Sequence, residues 1–396
     1  MTTRYDAIVV GARCAGSPTA MLLARKGYRV LAVDRATFPS DTISTHQIHA
    51  PGVGALERWG LLDQVVASGA PPIDTYEVDF GPFAITGRPG TAYAPRRTVL
   101  DKILVDAAAE AGAEIREGFT VGGLVVEDGR VTGIRGHEKG GATVTERAQV
   151  VVGADGRYSL VADAVGAVEY DTKPKLLASY YSYWSDLPMD GRFANWVRPH
   201  RGMAAWPTND DLTLVIAGWP YREFETNRTD VERHFFETLD TAPEFAERVR
   251  GAKREERFVG AAVPGYFRRP YGPGWILVGD AGYNKDYITA QGISDAFLDA
   301  EACAGAVDQA FSGSRPLDEA MEDITSSRDA RVTAMYELTA DFASLEPASP
   351  ELQQLLAAVS RSQEAMDGFA RVLAGVTSPA DFFSDENAGR ILAAAA

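Results

Sequence analysis

Glycine and aspartate residues at the ends of short apolar runs are the residues of this chain best suited to binding a nucleotide. Gly11 and Gly16 enclose a turn after the apolar run 7–10, and Asp34 ends the next apolar run. Gly11 permits a tight turn, and Gly16 permits close packing of a helix, predicted at about residues 14–26, on the first strand. The first N–H groups of that helix would face a pyrophosphate. Asp34 lies 23 residues after Gly11, near the spacing of roughly 20 residues typical of a carboxylate that binds ribose hydroxyls.

The middle position of this turn carries Arg13, where the usual fingerprint has a glycine. Arg13 could keep an ordinary backbone conformation and offer its guanidinium to a phosphate or to the edge of a cofactor ring. The alternative is a degenerate turn that binds nothing. The strand, the helix and the acid follow one another at the expected spacing, which favours nucleotide binding.

Two later turns have the same form. The apolar run 149–152 stops at a Gly-Ala-Asp-Gly turn that contains Asp155, and the run 275–278 stops at Asp280. Gln291 and Gly292 then begin a long helix. Because ligands of open α/β sheets bind outside the carboxyl ends of the strands, we expect Asp155 and Asp280 to face the same crevice as Gly11.

Other polar residues are candidates for ligand or substrate contact. The loop after Asp34 is rich in hydroxyl and imidazole groups, and its candidates are Thr42, Ser44, Thr45, His46 and His49. The alternative is a loop that only caps the next helix. His46, His49, Tyr181 and His200 are the candidate acid–base residues, each weighed against a packing or surface role, and no dedicated acid–base pair is evident.

Arg96 and Arg97 stand before an amphipathic helix. They are read as an anion contact or, alternatively, as an exposed pair. The five histidines are scattered, and Cys14 and Cys303 form no cluster. We therefore predict no metal site and no disulfide framework, with packing as the role of Cys14.

Composition restricts the partners. The chain has 396 residues, 45% of them hydrophobic, and a formal net charge of −16. Such a surface should repel nucleic acid and anionic membrane, which leaves a small molecule as the expected partner. No apolar run approaches the roughly 18 residues of a membrane helix, and we expect a soluble, cytoplasmic protein. The sequence does not indicate an oligomeric state.

Aromatic residues are concentrated at residues 174–222, where alternation of apolar and polar residues predicts an antiparallel sheet. Five of the six tryptophans lie between Trp184 and Trp275. One face of this sheet is predicted to be an aromatic wall for a flat, hydrophobic substrate. The alternative is a sheet that packs its rings against a helix. A further strand is expected at 258–267, and helices from Pro316 to the end.

Taken together, the motifs resemble those of FAD-dependent monooxygenases of the para-hydroxybenzoate hydroxylase type and of geranylgeranyl-reductase-like flavoproteins. The motifs are the Gly11 turn with Asp34, the segment Gly-Ala-Asp-Gly-Arg-Tyr-Ser at 153–159, and Gly-Asp-Ala at 279–281 continuing to Gln-Gly-Ile at 291–293. The stretch Arg-Thr-Val-Leu-Asp at 97–101 is similar to the start of a flavin-binding helix of the family. The resemblance covers about residues 4–330.

The resemblance implies FAD as the cofactor and NAD(P)H as a transient electron donor, since there is one dinucleotide fingerprint. It implies a pyrophosphate at the Gly11 turn, adenosine ribose at Asp34 and adenine near Val121. It places the ribityl chain near Arg97 and Asp280, and the pyrimidine edge of the flavin near the helix start at Gly292. The implied cofactor-binding residues are Gly11, Ala12, Arg13, Ala15, Gly16, Asp34, Arg35, Arg97, Val121, Asp155, Asp280, Gly292 and Ile293.

Two departures from the family stand out. Arg13 replaces a glycine, and Asn284 and Tyr287 stand where the family usually has a histidine and a proline beside the flavin. A changed loop at the reacting face could mean a changed reaction or altered flavin mobility.

The resemblance also implies an α/β (α+β) fold, with a Rossmann-like FAD-binding domain, a second, antiparallel-sheet substrate domain and a helical C-terminus. We assign residues 1–72, 95–170 and 270–330 to the FAD-binding domain and residues 73–94 and 171–269 to the substrate domain. Residues 331–396 form the helical C-terminal region.

Three functions remain open. The first is an NAD(P)H-dependent monooxygenase that hydroxylates or epoxidises an aromatic or polyketide-like secondary metabolite. The second is a flavin-dependent reductase of isoprenoid carbon–carbon double bonds. The third is a non-redox cyclase or binding protein with structural FAD. A flavin halogenase is disfavoured because the Trp-x-Trp-x-Ile-Pro signature of those enzymes is absent from the sequence.

Overall fold

The computed structural model describes residues 4–395. The α-helices are α1 (Gly16–Arg25), α2 (Ala50–Trp59), α3 (Leu62–Ala67), α4 (Arg97–Glu110), α5 (Leu160–Val165), α6 (Phe224–Asn227), α7 (Val231–Leu239), α8 (Pro243–Gly251), α9 (Gly292–Phe311), α10 (Leu317–Ser344), α11 (Pro350–Val359), α12 (Gln363–Leu373), α13 (Pro379–Phe382) and α14 (Asp385–Ala395). Short 3₁₀ helices lie at Tyr221–Glu223, Gly279–Ala281 and Tyr287–Thr289.

The strands, in chain order, are β1 (Arg4–Val10), β2 (Val30–Val33), β3 (Pro72–Ile73), β4 (Thr75–Asp79), β5 (Ala84–Gly87), β6 (Ala92–Tyr93), β7 (Glu114–Arg116), β8 (Phe119–Glu127), β9 (Arg130–Glu138), β10 (Val144–Gly153), β11 (Glu169–Lys173), β12 (Leu177–Ser185), β13 (Arg192–Arg198), β14 (Arg201–Pro207), β15 (Thr213–Pro220), β16 (Lys253–Arg254), β17 (Val259–Ala261), β18 (Gly265–Arg268), β19 (Tyr271–Gly272), β20 (Trp275–Leu277) and β21 (Tyr283–Asn284).

The first sheet has the strand order β19-β20-β10-β1-β2-β7, and β9 and β8 extend it as a meander beside β10. The strands β20, β10, β1, β2 and β7 run parallel to one another. Ala7, Ile8 and Val9 of β1 are fully buried, as expected for a parallel strand covered on both faces. The predicted α/β fold with a Rossmann-like first unit is confirmed.

Helix α1 is made of small residues, and these let it lie close to β1 and between α4 and α9. The helix begins at Gly16, two residues later than predicted, because Cys14 and Ala15 belong to the turn. Gly11 and Gly27 flank it with positive φ angles of 96° and 90°, which favour glycine because a Cβ is crowded in that region.

The second sheet has the order β16-β12-β15-β14-β13-β4-β5, with β17 also paired to β12. Its neighbours are antiparallel except for the parallel pair β13 and β4. The single strand predicted at 258–267 is wrong. It is two strands in different sheets, β17 and β18, because Pro264 lies between them and cannot donate to a ladder.

The C-terminal helices pack on both sheets. Helix α10 runs along α9, and α12 lies on β5, where Gly87 comes so close that an added Cβ would be 2.4 Å from the Met366 carbonyl oxygen. The Gln291 side chain donates from Nε2 to the Leu373 carbonyl at 2.7 Å. The hydroxyls of Thr289 and Thr339 are 2.9 Å apart. The C-terminal helices therefore hold the segment that leads into α9, and the domain boundaries proposed above stay a prediction.

Within residues 4–395, no helix combines the length and apolar character needed to cross a lipid bilayer.

Candidate functional site

A cavity of about 660 Å³ lies where the parallel strands β1, β10 and β20 end. Gly11, Asp155 and Asp280 all line it, so the three turns found in the sequence converge on one crevice. Of the residues proposed for the cofactor, the cavity is lined by Gly11, Arg13, Ala15, Asp34, Arg35, Arg97, Val121, Asp155, Asp280, Gly292 and Ile293. This brings together residues that are up to 282 positions apart in the chain.

Ala12 and Gly16 are not among the described residues that line the cavity. Both belong to the Gly11 turn and contact it through the backbone. The backbone N–H of Ala12 donates to Asp34 Oδ2 at 2.8 Å. A Cβ added to Gly16 would be 1.8 Å from the carbonyl oxygen of Gly11. Ala12 thus orients the carboxylate and Gly16 permits the tight turn, and the direct contact of these two residues with a pyrophosphate stays a prediction.

Asp34 directly follows β2, and backbone N–H groups donate to both of its carboxylate oxygens. Oδ2 accepts from Ala12 N–H, and Oδ1 accepts from Ala36 N–H, each at 2.8 Å. Each oxygen keeps a further lone pair that can accept a hydroxyl. Arg35, Val121 and Phe119 line the cavity at this end, which can accommodate a ribose and an adenine.

A buried ion cluster lies directly behind the Gly11 turn. Asp101 of α4, fully buried, accepts two hydrogen bonds from Arg97, at 2.9 and 3.1 Å, and a third from Arg13 Nη1. Arg13 Nη2 also donates to the Ser40 hydroxyl at 3.0 Å. The guanidinium of Arg13 is thus bound to the protein, and Arg13 also lines the cavity; its contact with a phosphate or with the edge of the cofactor ring stays a prediction. Arg97, although paired, still lines the cavity.

Arg96 points away from this cavity. Its guanidinium stacks over the Tyr183 ring, 3.9 Å from the centroid, and donates to Glu256 at 2.8 Å. The prediction that Arg96 and Arg97 form a joint anion contact is therefore wrong for Arg96. An aromatic face and an acid on the neighbouring second sheet hold its charge instead.

The candidate acid–base histidines do not lie in the described lining of the cavity. His46 and His49 are fully buried behind it, paired with the hydroxyls of Tyr183 and Tyr76. Burial lowers the pKa of His49 to about 4 and that of His46 well below its ordinary value, so both are neutral at pH 7. His200 lies in a surface turn beside Glu346. The structure does not bring these three residues into the described lining, and an acid–base role for them stays a prediction. Tyr181 alone of the four lines the cavity, and its hydroxyl accepts from Ser44 N–H at 3.3 Å.

The predicted aromatic wall is largely a packing core. Trp184 stacks on Phe235 of α7, and Trp196 stacks on Phe245 of α8 with ring centroids 3.8 Å apart. Among the aromatic residues of the second sheet that the structure describes, Tyr181 lines the cavity. Its neighbours there are Ser179, Ile216, Ala261 and Val263. The wall is thus mainly aliphatic. Large rings lie on both faces of the sheet: Trp184 and Trp196 pack against helices, and Tyr183, Phe193 and Trp206 are buried in a second cluster on the face that carries Tyr181.

The segment between Asp280 and Gly292 carries charged groups that the sequence reasoning missed. Lys285 forms an ion pair with Asp295 of α9, and both line the cavity together with Asp286 and Asp299. Burial raises the pKa of Asp286 to about 7 and that of Asp299 to about 6. The available signal was the pair Lys285-Asp286 inside an otherwise uncharged run after Asp280.

The two family departures in this segment have defined contacts. Asn284 donates from Nδ2 to the Pro264 carbonyl at 2.5 Å. The Tyr287 hydroxyl donates to the Ala261 carbonyl at 2.5 Å and accepts from the Ser179 hydroxyl at 2.9 Å. Tyr287 therefore ties the loop to β12 and β17 of the second sheet, on the side where Tyr181 lies.

Parallel strands that end at a helix N-terminus and at acidic turns, beside a second sheet, are typical of a nucleotide-binding fold. The sequence matches the family described as FAD binding domain over residues 4–260. The chain therefore belongs to this family, its cofactor is FAD, and it is a flavin-dependent oxidoreductase. The alternative of a non-redox cyclase or binding protein is not supported, because the relatives it matches are redox enzymes.

Three comparisons show what this chain is similar to, one in sequence and two in fold. The digeranylgeranylglycerophospholipid reductase of Methanosarcina mazei is 28% identical over 323 residues, which cover 77% of this chain and 75% of that protein. The solved myxobacterial chondrochloren halogenase CndH is 21% identical, with a TM-score of 0.80, covering 99% of this chain and 96% of that one. PqsL of Pseudomonas aeruginosa, described as a probable FAD-dependent monooxygenase, is 20% identical, with a TM-score of 0.72, covering 93% and 99%.

The residues around the cavity fit FAD. Helix α1 begins beside the Gly11 turn, and Ala15, which precedes the helix, lines the cavity with Gly11; the Ser17 N–H of its first turn donates to the Arg13 carbonyl at 3.0 Å. A Cβ added to Gly292 would meet nothing within 4 Å, so the start of α9 is open to a ligand. Burial raises the pKa of Asp280, opposed by the charges of Arg157, Arg97 and Lys285. These features match the pyrophosphate, the flavin ring and the ribityl hydroxyls, respectively.

Proposed function

We propose that this chain is a cytoplasmic, NAD(P)H-dependent FAD monooxygenase that hydroxylates or epoxidises a hydrophobic small molecule. The observation that carries the proposal is the wall beside the start of α9. It is built from Tyr181, Ile216, Ala261 and Val263, with the loop at Tyr287 bonded across to it. An apolar wall on one side of the cavity can hold a hydrophobic substrate and reduce the access of water to it, which supports oxygen transfer to a substrate.

In this proposal each residue group has a defined task. The Gly11 turn and α1 bind the pyrophosphate, Asp34 binds the adenosine ribose, and Asp280 binds the ribityl hydroxyls. The N–H groups of Gly292 and Ile293 support the electron-rich edge of the ring after reduction. FAD, when bound, supplies electron acceptance from NAD(P)H and the activation of oxygen. The protein's own part is to position the substrate and exclude water.

The substrate class is set by the same wall. Since one aromatic residue of the second sheet lines the cavity and the other side chains there are aliphatic or small, shape and apolar contact favour a hydrophobic substrate with or without an aromatic ring. An aromatic or polyketide-like metabolite remains compatible with Tyr181 and Tyr287. The wall has no cation for a carboxylate substrate among the described residues that form it.

A second candidate function is the reduction of a carbon–carbon double bond. It is favoured by the similarity to the digeranylgeranylglycerophospholipid reductase and by the buried carboxyl of Asp286 on the cavity. Such a reduction adds a hydride to one carbon and a proton to the other, and a buried neutral acid can supply a proton.

The two reactions are separated by their need for oxygen. The FAD-loaded protein is given NADPH or NADH with a set of polyketide-like and isoprenoid substrates, aerobically and anaerobically. A monooxygenase gives product only in air and incorporates one atom from ¹⁸O₂. A reductase turns over without oxygen, and its product gains two hydrogens. Anaerobic turnover without ¹⁸O incorporation would replace the first proposal with the second.

Replacing Asp34 with alanine is expected to weaken FAD binding by about 10- to 100-fold, because charge-assisted hydrogen bonds of about 1.5–3 kcal/mol to the ribose would be lost. The measurement is quenching of FAD fluorescence on titration with apoprotein. Asp63→Ala, an exposed position in the first turn of α3, is the matched control and should bind FAD normally. Equal affinities for both variants would remove Asp34 from the site.

A further inference from the structure

Asp286 lines the cavity, and one of its carboxylate oxygens is buried without a hydrogen-bond partner among the described residues. The residue is 7% exposed and lines the cavity. Its Oδ1 accepts from Ile288 N–H at 2.9 Å and so caps the 3₁₀ helix Tyr287–Thr289. Its Oδ2 is buried and has no hydrogen-bond partner among residues 4–395. A buried polar atom without a partner is costly unless a ligand or a proton satisfies it.

The charged groups nearby do not neutralise this carboxyl. Lys285, its neighbour in sequence, is paired with Asp295 of α9 and lies 3.2 Å from the Tyr283 hydroxyl. Arg331 of α10 lies near Asp295 and Asp299 instead. The Tyr287 hydroxyl is bonded to Ala261 and Ser179.

Two other charged groups, Arg157 and Asp280, line the same cavity. The shift in the pKa of Asp286 has burial as its main cause, opposed by the Ile288 N–H. No charged side chain of the described chain contributes to that shift. Asp286 thus differs from Asp280, whose pKa is influenced by three cations.

The protonation state follows from this environment. Burial raises the pKa of Asp286 to about 7, so the neutral acid is the main form below pH 7, and the proton leaves as the pH rises through 7. With Oδ1 occupied as an acceptor, the proton belongs on Oδ2. A proton on Oδ2 makes a hydrogen-bond donor of a residue type that is ordinarily an acceptor.

We propose that Asp286 is a protonated hydrogen-bond donor to the ring system of FAD and contacts an acceptor atom of the ring through Oδ2. The residue lies between Asp280 and Gly292, which line the cavity on either side of it in sequence. Its neighbour Tyr287, which lines the same cavity, is bonded to Ala261 and Ser179 of the second sheet and not to Asp286. The inference rests on FAD binding in this cavity and on neither choice of reaction.

The competing explanation is structural: Asp286 does no more than cap Ile288. Asparagine distinguishes the two, because its Oδ1 can accept from Ile288 N–H while its Nδ2 donates at every pH. Alanine removes both the cap and the donor. Asp318→Asn, at an exposed position in the first turn of α10, is the matched control for removal of one negative charge.

The first measurement is isotope-edited infrared spectroscopy of the apoprotein. We expect a protonated-carboxyl C=O band that titrates with a midpoint near pH 7, is absent in Asp286→Asn and is unchanged in Asp318→Asn. FAD should shift this band to lower frequency in the unsubstituted protein. A band that is already absent at pH 6, or that FAD leaves unshifted, overturns the proposal even if the variants fold poorly.

The second measurement is FAD affinity from pH 6 to pH 8, by fluorescence quenching. If the neutral acid alone binds the ring, affinity should fall about tenfold over this range, since pH 8 is one unit above the pKa. Asp286→Asn should lose this pH dependence, and Asp286→Ala should bind weakly at both pH values. A pH profile shared by Asp286→Asn and the unsubstituted protein contradicts the contact. Failure of every form, Asp318→Asn included, to bind FAD would instead count against the cofactor site as a whole.

Discussion

Replacing Asp101 with asparagine is expected to lower the free energy of unfolding by about 3–5 kcal/mol. Asp101 is fully buried and is the shared partner of Arg97 and Arg13. Asparagine has nearly the same size but no charge, so the guanidinium of Arg97, which is 8% exposed, would keep its charge in a buried place without compensation. The measurement is urea unfolding of the apoprotein at constant pH.

The matched control is Asp106→Asn on the same helix. Asp106 also accepts from a cation four residues away, Lys102 at 2.6 Å, but both side chains are over 40% exposed. An exposed pair contributes about 0–1 kcal/mol. A similar loss of unfolding free energy in the two variants would show that the ion pairs of Asp101 contribute no more to stability than an exposed pair does.

The same substitution should weaken FAD binding, because Asp101 holds Arg13 and Arg97, two of the arginines that line the cavity. Arg13 would be free to leave the Gly11 turn, and Arg97 would lose its fixed orientation beside Asp280. We expect at least a tenfold loss of FAD affinity by fluorescence quenching. Retention of full affinity at a temperature where the variant is folded would separate the ion cluster from cofactor binding.

Replacing Gly11 with alanine is expected to abolish measurable FAD binding and to destabilise the fold by more than 3 kcal/mol. Two effects add. The φ angle of 96° is unfavourable for alanine, at about 1–2 kcal/mol. The new Cβ would also be 2.4 Å from the carbonyl oxygen of Ala154 and 2.7 Å from its carbonyl carbon, so β1 and β10 would have to move apart where the cavity begins.

Gly27→Ala isolates the first effect. Gly27 has a φ angle of 90° with nothing within 4 Å of an added Cβ, so it should lose only the conformational part and bind FAD normally. The comparison needs thermal unfolding and FAD titration of both variants. If Gly11→Ala behaves like Gly27→Ala, the close approach of the two turns is not required for the cofactor.

The parallel sheet and its ligand edge were predictable because their signals are local. Continuous apolar runs that stop at Gly11, Asp155 and Asp280 define strand ends, and parallel strand ends share one edge of a sheet. No such local rule assigns a face of the second sheet. Trp184 and Trp196 belong to strands whose alternation of apolar and polar residues correctly predicts a sheet. However, α7 and α8 cover the face that carries these two rings, and the sequence does not show which face of a sheet a distant helix will cover.

The positions of His46 and His49 were not predictable from the sequence for a related reason. Their side-chain chemistry is equally suited to a site or to a core, and burial decides between the two. His46 and His49 follow a polar loop that does reach the cavity at Thr42 and Ser44, yet the chain turns inward immediately afterwards. Asp286 was missed for the opposite reason: a carboxylate in a loop reads as solvated until burial is known.

The bond from Gln291 to Leu373 and the seating of α12 against Gly87 have a practical consequence for anyone who shortens this protein. Truncation near residue 330, after the FAD-binding motifs, would remove the hydrogen bonds that Leu373 and Thr339 make with the segment before α9. It would also remove the apolar residues of the C-terminal helices that pack on β5. Such a fragment should be recovered as aggregate or as a colourless protein, so recombinant forms need the full tail, and any affinity tag is better separated from α14 by a linker.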